Sequence, residues 1–510
     1  MTHDHDIIVA PATASGGAIA VVRVSGDRAL ELCDRIFRGR SRLCDAAGHT
    51  LHFGRIVDGA RTVDEVLASV FRAPRSYTGE DAVEISCHGS SYIVAEILRL
   101  LIDAGARMAE PGEFTVRAYL AGKMDLAQAE AVADLVASSS QAAHTLAINQ
   151  MRGGYSDALE AMREQLLHLA SLLELELDFS EEDVQFADRS ELNAIMQRLD
   201  GELGRLRDSF ALGNALKQGV AVAIVGAPNV GKSTLLNRLL QDDRALVSDI
   251  AGTTRDVIEE QTNIDGVQFR FLDTAGIRST DDRLEQMGIE RTMTSIARAQ
   301  IIVHLVSAEA LAAARTAPEN AASACAAHSV SGSADFASSA SPGGDFSALR
   351  AAIPAPDFPV RDDQTLITVV NKIDLFPSLA LPPHALGISA QSGSGVDAPG
   401  PARPGSVFGI SARDGLGVDA LRLALRQAVN TEALFHGNTV VSCGRHYAEL
   451  SEAKTALQQA LNGLDSGLPA DLLAEDIRAV IRHLGTITGR GTLAPDDILA
   501  NIFSKFCIGK

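Results

Sequence analysis

Val220-Ala-Val-Ala-Ile-Val225 runs directly into Gly226-Ala-Pro-Asn-Val-Gly-Lys-Ser233, and Thr234-Leu-Leu-Asn-Arg-Leu-Leu240 follows. The first segment is a short apolar run of the buried-strand kind, and the last has helix-compatible spacing. The middle segment fits G-x-x-x-x-G-K-[ST], the phosphate-binding loop of nucleoside triphosphatases. Gly226 and Gly231 let backbone N–H groups turn inward around phosphate oxygens, and the helix that follows directs its positive end at the same charge. In that pattern Lys232 reaches the β- and γ-phosphates and Ser233 ligates Mg²⁺. Asn229, Val230, Gly231 and Thr234 complete the lining of the nucleotide.

Working outward, 510 residues with 46% hydrophobic content leave room for about three domains with sizeable cores. The sequence holds no apolar run of the length a membrane span needs. Met1-Thr-His-Asp-His-Asp6 is acidic where a secretory signal is basic. Six cysteines (33, 44, 87, 325, 443 and 507) are scattered without a C-x-x-C pair. This argues against a disulfide framework or a zinc ribbon and for the reducing cytoplasm. The formal charge of −20 provides little overall attraction to nucleic acid phosphates. A role in RNA chemistry would therefore need a local basic patch or a basic partner.

Ile7-Ile-Val-Ala10, Ala18-Ile-Ala-Val-Val-Arg-Val24 and Ala82-Val-Glu-Ile-Ser-Cys87 read as strands, and Tyr92–Ile102 reads as a helix. Residues 1–121 are expected to form an α+β domain. Long helical periodicity over 122–216 resumes over 426–510, which predicts a discontinuous helical domain interrupted by a phosphate-loop domain at 217–425. Two stretches inside that domain, near 308–360 and 377–407, are rich in Ala, Ser, Gly and Pro and are expected to be flexible surface insertions. The second contains Gly387-Ile-Ser-Ala390, which half-repeats Gly409-Ile-Ser-Ala412.

Four more motifs follow in the order of a Ras-like GTPase domain. Asp249-Ile-Ala-Gly-Thr-Thr-Arg255 stands where a switch loop places a threonine on Mg²⁺, and Thr254 is the residue chosen; Ser248 to Thr253 line the same loop. Asp273-Thr-Ala-Gly276 follows an apolar run, so the carboxylate can support Mg²⁺ and Gly276 can present an N–H to the γ-phosphate. Asn371-Lys-Ile-Asp374 resembles the guanine-reading N-K-x-D motif. Asp374 would accept from the guanine N1–H and N2–H₂ pair, which adenine does not offer. Ser411-Ala-Arg413 resembles the base-side loop; it is preferred over Ser389-Ala-Gln391 because a helix can follow it, whereas Pro399, Pro401 and Pro404 follow the other copy. Lys232, Thr254 and a water-positioning group form the catalytic set. Ile277 stands where Ras-like enzymes carry a glutamine, so that last group must come from elsewhere. Asp281, Asp282 and Glu285 are candidates, with Arg255 and Arg278 nearby.

Outside the GTPase motifs stand Ser76-Tyr-Thr-Gly-Glu-Asp81, Cys87-His-Gly89, Glu110-Pro-Gly-Glu-Phe-Thr115, Arg117-Ala-Tyr-Leu120 and Gly122-Lys-Met-Asp-Leu-Ala-Gln-Ala-Glu-Ala131. Further on come Gly288-Ile-Glu-Arg291, Leu473-Ala-Glu-Asp-Ile-Arg478, Gly485-Thr-Ile-Thr-Gly489 and Phe506-Cys-Ile-Gly-Lys510. With these the chain resembles the MnmE (TrmE) family of tRNA-modification GTPases over nearly its whole length, the two low-complexity stretches excepted. The resemblance implies a folate-binding N-terminal domain, a central helical domain and a G domain inserted into it. It implies a homodimer formed through the N-terminal domains and a heterotetramer with an FAD- and NADH-using partner, GidA (MnmG). Together they would add an aminomethyl or carboxymethylaminomethyl group at C5 of the wobble uridine of certain tRNAs. The methylene carbon would come from 5,10-methylenetetrahydrofolate or 5-formyltetrahydrofolate.

The family's site roles carry over where positions match. Arg23, Glu80, Lys123 and Lys510 correspond to folate contacts. Asn229, Ser248, Ile250 and Thr253 correspond to ligands of a K⁺ that stimulates GTP hydrolysis, and Glu285 corresponds to the residue that positions water. Cys507 matches a thiol position, with a small buried hydrophobe beside Phe503 and Phe506 as the alternative. Three positions depart from the family pattern: Ala14-Ser-Gly-Gly17 in place of G-R-G, Cys443 in place of Asn, and Ser307 in place of Asp. A ribosome-assembly GTPase resembling Era or Der, and a folate-binding structural protein with a degenerate G domain, are the competing readings. The single phosphate loop and intact Lys232, Ser233, Thr254 and Asp273 weigh against them.

Overall fold

The structure is a computed structural model that describes residues 6–14, 16–178, 189–241, 259–272, 285–316, 353, 356, 358–376, 407–429, 439–490, 499, 502–504, 506 and 509. The chain divides into two compact units. The first comprises Met1–Ser138, His144–Phe210 and Thr439–Lys510; the second comprises Ser139–Ala143 and Ala211–Asn438. Both segments of the second unit thus begin inside the stretch read as helical, at Ser139 and at Ala211.

In the first unit, β1 (Ile8–Pro11), β2 (Ile19–Ser25), β3 (Phe37–Gly39), β4 (Thr50–Asp58), β5 (Arg61–Phe71), β6 (Ala82–His88) and β7 (Arg107–Met108) form one sheet of order β3-β4-β5-β6-β2-β1-β7. Only β1 and β7 pair in parallel. Alternation sends Ala20, Val22 and Val24 of β2 inward and Ile19, Val21 and Arg23 to the opposite face. On the inner face the helices Ala29–Ile36 and Ser91–Asp103 bury Leu30, Cys33, Ile97 and Leu101 with the strand residues. The outer face leaves Ile19, Leu51, Phe53 and Leu67 exposed, with Phe53 directly opposite Leu67.

The remaining mass of this unit is helical: Leu126–Ala137, Gly154–Asp178, Arg189–Asp208, Gly444–Asp465 and Ala470–Thr488. Their apolar stripes converge on Leu166, Leu173, Met196, Leu203, Leu457, Leu473 and Ile477. Asp125 starts the first of these helices with a reciprocal capping box, since its carboxylate accepts from Gln128 N–H and its own N–H donates to Gln128 Oε1 (2.9 Å each). Phe503 and Phe506 pack against Leu126 and Ala129 of that helix.

In the second unit, β8 (Val220–Gly226), β9 (Glu260–Ile264), β10 (Val267–Phe271), β11 (Ile301–Ser307), β12 (Thr365–Asn371) and β13 (Val407–Gly409) form a sheet of order β13-β12-β11-β8-β10-β9. All neighbours are parallel except β9 and β10. Strands β8 and β11 are buried nearly throughout, which is why their sequences are continuous apolar runs without alternation. β8 connects onward to β10 on one side, while β11 lies on its other side. This reversal opens a crevice at the carboxyl end of β8, where open α/β sheets hold ligands.

The expectation of a flexible surface insertion over 308–360 needs correction at both ends. Residues Ala308–Thr316 form a helix with Ala308 and Leu311 fully buried, and Phe358 and Val360 pack on the core near Ile302. Alanine-rich composition here reflects helix propensity and close packing. Residues 317–352 and all but the last of 377–407, including the decoy around Ser389, lie outside the described residues.

Candidate functional site

The phosphate loop leaves the carboxyl end of β8 and enters the helix Lys232–Gln241. Gly231 has φ +103°, and a Cβ there would overlap the Asn371 side-chain amide. Glycine is therefore required both by the backbone conformation and by the close approach. Asn229 also takes a positive φ, 60°, and is exposed at the loop's rim. Lys232 Nζ donates to Gly226 O (2.8 Å) and Ala227 O (3.0 Å), so the ammonium already sits over the loop. Burial lowers its pKa from the ordinary lysine value. Ser233 and Thr234 occupy the first helical turn, the first half-buried and the second exposed. A loop with positive φ at Asn229 and Gly231, a helix N-terminus and one cation make a polyphosphate cradle.

The base side is joined to this loop by one side chain. Asn371, at the end of β12, is 3% exposed. Its Nδ2 donates to Val230 O (2.8 Å) and its Oδ1 accepts from Ala412 N–H (3.0 Å). Both ends of the amide are thus engaged within the protein, so Asn371 positions the two loops. Lys372 follows in the left-handed region at φ 66°, and Asp374 lies exposed in the short turn Ile373–Leu375. Ser411 N–H donates to Leu416 O (2.9 Å) and its hydroxyl donates to Asp414 (3.0 Å), which fixes the loop that carries Ala412 and Arg413.

Ser248, Asp249, Ile250, Ala251, Gly252, Thr253, Thr254, Asp273, Thr274, Ala275 and Gly276 lie outside the described residues, as do Arg255, Arg278, Asp281 and Asp282. Glu285 opens the helix Glu285–Arg298, and its side chain is likewise outside them. Of the expected Mg²⁺ and K⁺ ligands, Ser233 and Asn229 are described. Both supply uncharged oxygens, the donor type that hard cations take.

In the first unit, Arg23 on β2 faces Glu84 on β6 across the register (2.9 Å) and donates to Gly509 O (3.2 Å). Its guanidinium lies over the rings of Tyr77 and Phe114 at 5.4 and 5.6 Å. Glu80 accepts from Ser25 (2.8 Å) and from Arg117 (3.1 Å). Arg117 is in turn held by Asp6 and Glu113. Burial would raise the Asp6 pKa, but the hydrogen bonds and charges of Arg107 and Arg117 outweigh it and the pKa is lowered. Lys123 Nζ donates to Pro74 O (2.8 Å), and its stem runs beside Gly79, next to Glu80. A cavity of about 60 Å³ between β2 and β6 is lined by Arg23, Ser25, Tyr77, Thr78 and Glu84. Arg23, Glu80 and Lys123 therefore gather around residues 74–84, while Lys510 and Cys507 lie outside the described residues. Sequence reasoning missed Ser25, Glu84 and Arg117. Glu84 was findable as a carboxylate on an alternating strand. The arginine stands in a quoted motif, but its partners are remote.

A third cluster joins the helix Leu126–Ala137 to the start of the helix Gly444–Asp465. Arg445 donates to both carboxylate oxygens of Glu130 (3.1 Å each), and His446 Nε2 lies 2.6 Å from the same carboxylate. Burial would raise the Glu130 pKa, but His446 and Arg445 together hold it down at about 2. Burial pushes the neighbouring Cys443 thiol up. Glu130, Cys443 and His446 are close enough to hold a metal ion, yet the guanidinium already takes both carboxylate oxygens. The arrangement is a part-buried ion pair beside the buried His446.

Three family models match the chain. The model for the N-terminus of the GTP-binding protein TrmE covers residues 7–123, a 50S ribosome-binding GTPase model covers 221–328, and the MnmE helical domain covers 378–507. Among similar curated proteins, the tRNA modification GTPase MnmE of Christiangramia forsetii is 46% identical over 516 residues, covering 99% of each chain. That of Flavobacterium psychrophilum is 44% identical over 519 residues with the same coverage. That of Cytophaga hutchinsonii is 42% identical over 516 residues, covering 100% of this chain and 99% of its own.

Proposed function

Since the chain belongs to the MnmE family of tRNA modification GTPases, we propose that it couples GTP hydrolysis to modification of the wobble uridine of certain tRNAs. Acting with an FAD- and NADH-using partner of the GidA (MnmG) type, it would add an aminomethyl or carboxymethylaminomethyl group at C5. The carbon would come from 5,10-methylenetetrahydrofolate or 5-formyltetrahydrofolate. The observation that carries the GTP half of this reading is the Asn371 amide, which ties the phosphate loop at Val230 to the base-side loop at Ala412. A nucleotide gripped at both ends would feel any movement of that joint.

Lys232 holds the β- and γ-phosphates, the loop N–H groups from Asn229 to Thr234 enclose them, and Asp374 selects guanine. The switch segments Ser248–Thr254 and Asp273–Gly276 would serve the γ-phosphate, and Ala412 and Arg413 would flank the base with Ser411 and Lys372. Glu285 orients the attacking water. Ser233 and Thr254 would hold Mg²⁺, and Asn229, Ser248, Ile250 and Thr253 would hold K⁺; the two ions would supply positive charge where negative charge grows during phosphoryl transfer.

In the N-terminal domain, Arg23, Lys123 and Lys510 would hold glutamyl carboxylates, and Glu80 would accept from the amine face of the pterin. Arg117 Nη1, shared between both oxygens of Glu80, supports this reading, because it pre-orients a partly exposed carboxylate. The exposed apolar face of Ile19, Leu51, Phe53 and Leu67 supports a homodimer formed through this sheet. The free thiols of Cys33, Cys44, Cys87 and Cys443 support a reducing, cytoplasmic setting. Among the described residues, no helix is long and apolar enough to cross a membrane.

The deciding experiment is mass analysis of wobble uridines in tRNA from cells lacking the protein. Unchanged modification would overturn the reading. GTP hydrolysis should run faster in KCl than in NaCl at equal ionic strength, and equal rates would remove the K⁺ assignment. Glu285→Ala should lower kcat far more than nucleotide affinity; a pure affinity loss would move the water-positioning role elsewhere.

A further inference from the structure

Arg35-Ile-Phe-Arg-Gly-Arg-Ser-Arg-Leu-Cys44 carries four arginines and no acid, in a chain whose formal charge is −20. Arg35 ends the helix Ala29–Ile36, Arg38 sits in the edge strand β3, and Arg40 and Arg42 follow it; all four are exposed. Arg35 donates to Ala104 O (2.7 Å), and Arg38 donates to Asp34 O (2.9 Å) and Phe37 O (2.8 Å). Those carbonyls hold the guanidinium groups without cancelling their charge. The Asp34 carboxylate is 7% exposed and already accepts from Leu43 and Cys44 N–H, so it meets Arg42 only at 3.5 Å. Arg40 makes no ion pair among the described residues.

Elsewhere on the same domain, Arg28 and Arg75 are exposed as isolated arginines in the sequence, whereas the exposed arginine cluster of Arg61 and Arg99 is neutralised. Arg61 and Arg99 interlace with Asp58, Glu96 and Asp103, two cations against three carboxylates. An edge strand of three residues needs one outward charge to discourage strand addition. Arg40 and Arg42 lie beyond the strand, so edge protection does not account for them.

We propose that the edge formed by Arg35, Arg38, Arg40 and Arg42 docks the sugar–phosphate backbone of the tRNA substrate. This rests on the reading of the chain as acting on tRNA. Guanidinium forks match phosphate oxygens, and exposed ones lose little hydration on contact. A strongly acidic remainder repels RNA, so a cluster of four exposed arginines with only the Arg42–Asp34 contact against it is where a polyanion can lie.

The test uses the full-length protein, alone and in complex with its FAD-dependent partner. The probe is an in vitro transcript of a tRNA with uridine at the wobble position, titrated across a KCl series. Arg38→Gln/Arg40→Gln should weaken binding about tenfold and make the dependence of log K on log salt shallower by about 2, one unit per lost phosphate contact. Adding Arg42→Gln should extend both effects. Arg99→Gln should change neither, and GTP hydrolysis without tRNA should stay at the wild-type rate in all variants, which reports an intact fold. Wild-type affinity and salt slope in both arginine-edge variants would overturn the proposal. So would weakened binding of the partner protein with unchanged transcript affinity, which would make the strip a protein contact, or the absence of transcript binding by the wild type in either setting. Failure of the broader reading looks different: deletion of the protein would leave wobble uridines modified.

Discussion

The phosphate loop and the part-buried junction at Glu130 are held together by opposite routes. The loop assembles over eight consecutive residues, and Lys232 closes onto a carbonyl six positions away. The junction pairs Glu130 with Arg445, 315 positions away, and the N-terminal cluster links Arg23 to Gly509 across 486 positions. A site made of backbone conformation is vulnerable to an added methyl group. A site made of paired side chains is vulnerable to a lost charge.

Breaking the charge-built junction should have the largest effect. Glu130→Ala leaves the part-buried Arg445 and the buried His446 without their carboxylate and should cost roughly 3 kcal/mol of stability in the first unit by chemical denaturation, the lower end for a buried pair. An unchanged midpoint would mean that the pair contributes nothing net. Because the Glu130 carboxyl is held near 2, below the usual 4.5, its contribution is complete above about pH 4.5 and is lost as pH falls toward 2. Glu130→Gln should flatten that acid limb of the stability curve. Next comes the backbone-built loop: Gly231→Ala, forced against Asn371 at φ +103°, should weaken GTP binding by about 100-fold, roughly 3 kcal/mol, with the acid limb untouched. Retained affinity would show that the loop can yield. Smaller again, Glu80→Gln should weaken tetrahydrofolate binding about tenfold while GTP affinity stays constant, read by calorimetry on one sample. The smallest effect belongs to Asp125→Ala, which removes a capping box and should cost about 1 kcal/mol.

The same contrast explains what could be read from the chain. The strand–loop–helix at 220–240 was legible because each residue's reason lies within a few neighbours. Asn371 was placed correctly on a strand end and assigned to the nucleotide, but its two loop contacts depend on folds brought in from Val230 and Ala412. Strands β4 and β5 were not singled out, since Leu51, Phe53 and Leu67 put apolar residues on the exposed face and spoil the alternation that signals a strand. Arg117 stood in a quoted motif without a role, because Asp6 and Glu80 reach it only through the sheet. In the stretch 308–316, alanine richness was read as an insertion although Leu311 was available as a core anchor.

Gly509 sits at φ +101°, and a Cβ there would overlap Pro11 O, while its carbonyl accepts from Arg23. The partners lie 486 positions apart in the chain. At typical synthesis rates, roughly 25–100 s separate them. Until then Arg23 can pair with Glu84 but has no carbonyl above it. The strands that carry Arg23 and Glu84 are therefore made long before the residue that completes their cluster. A protein truncated before Gly509 would carry an intact GTPase beside an incomplete N-terminal cluster.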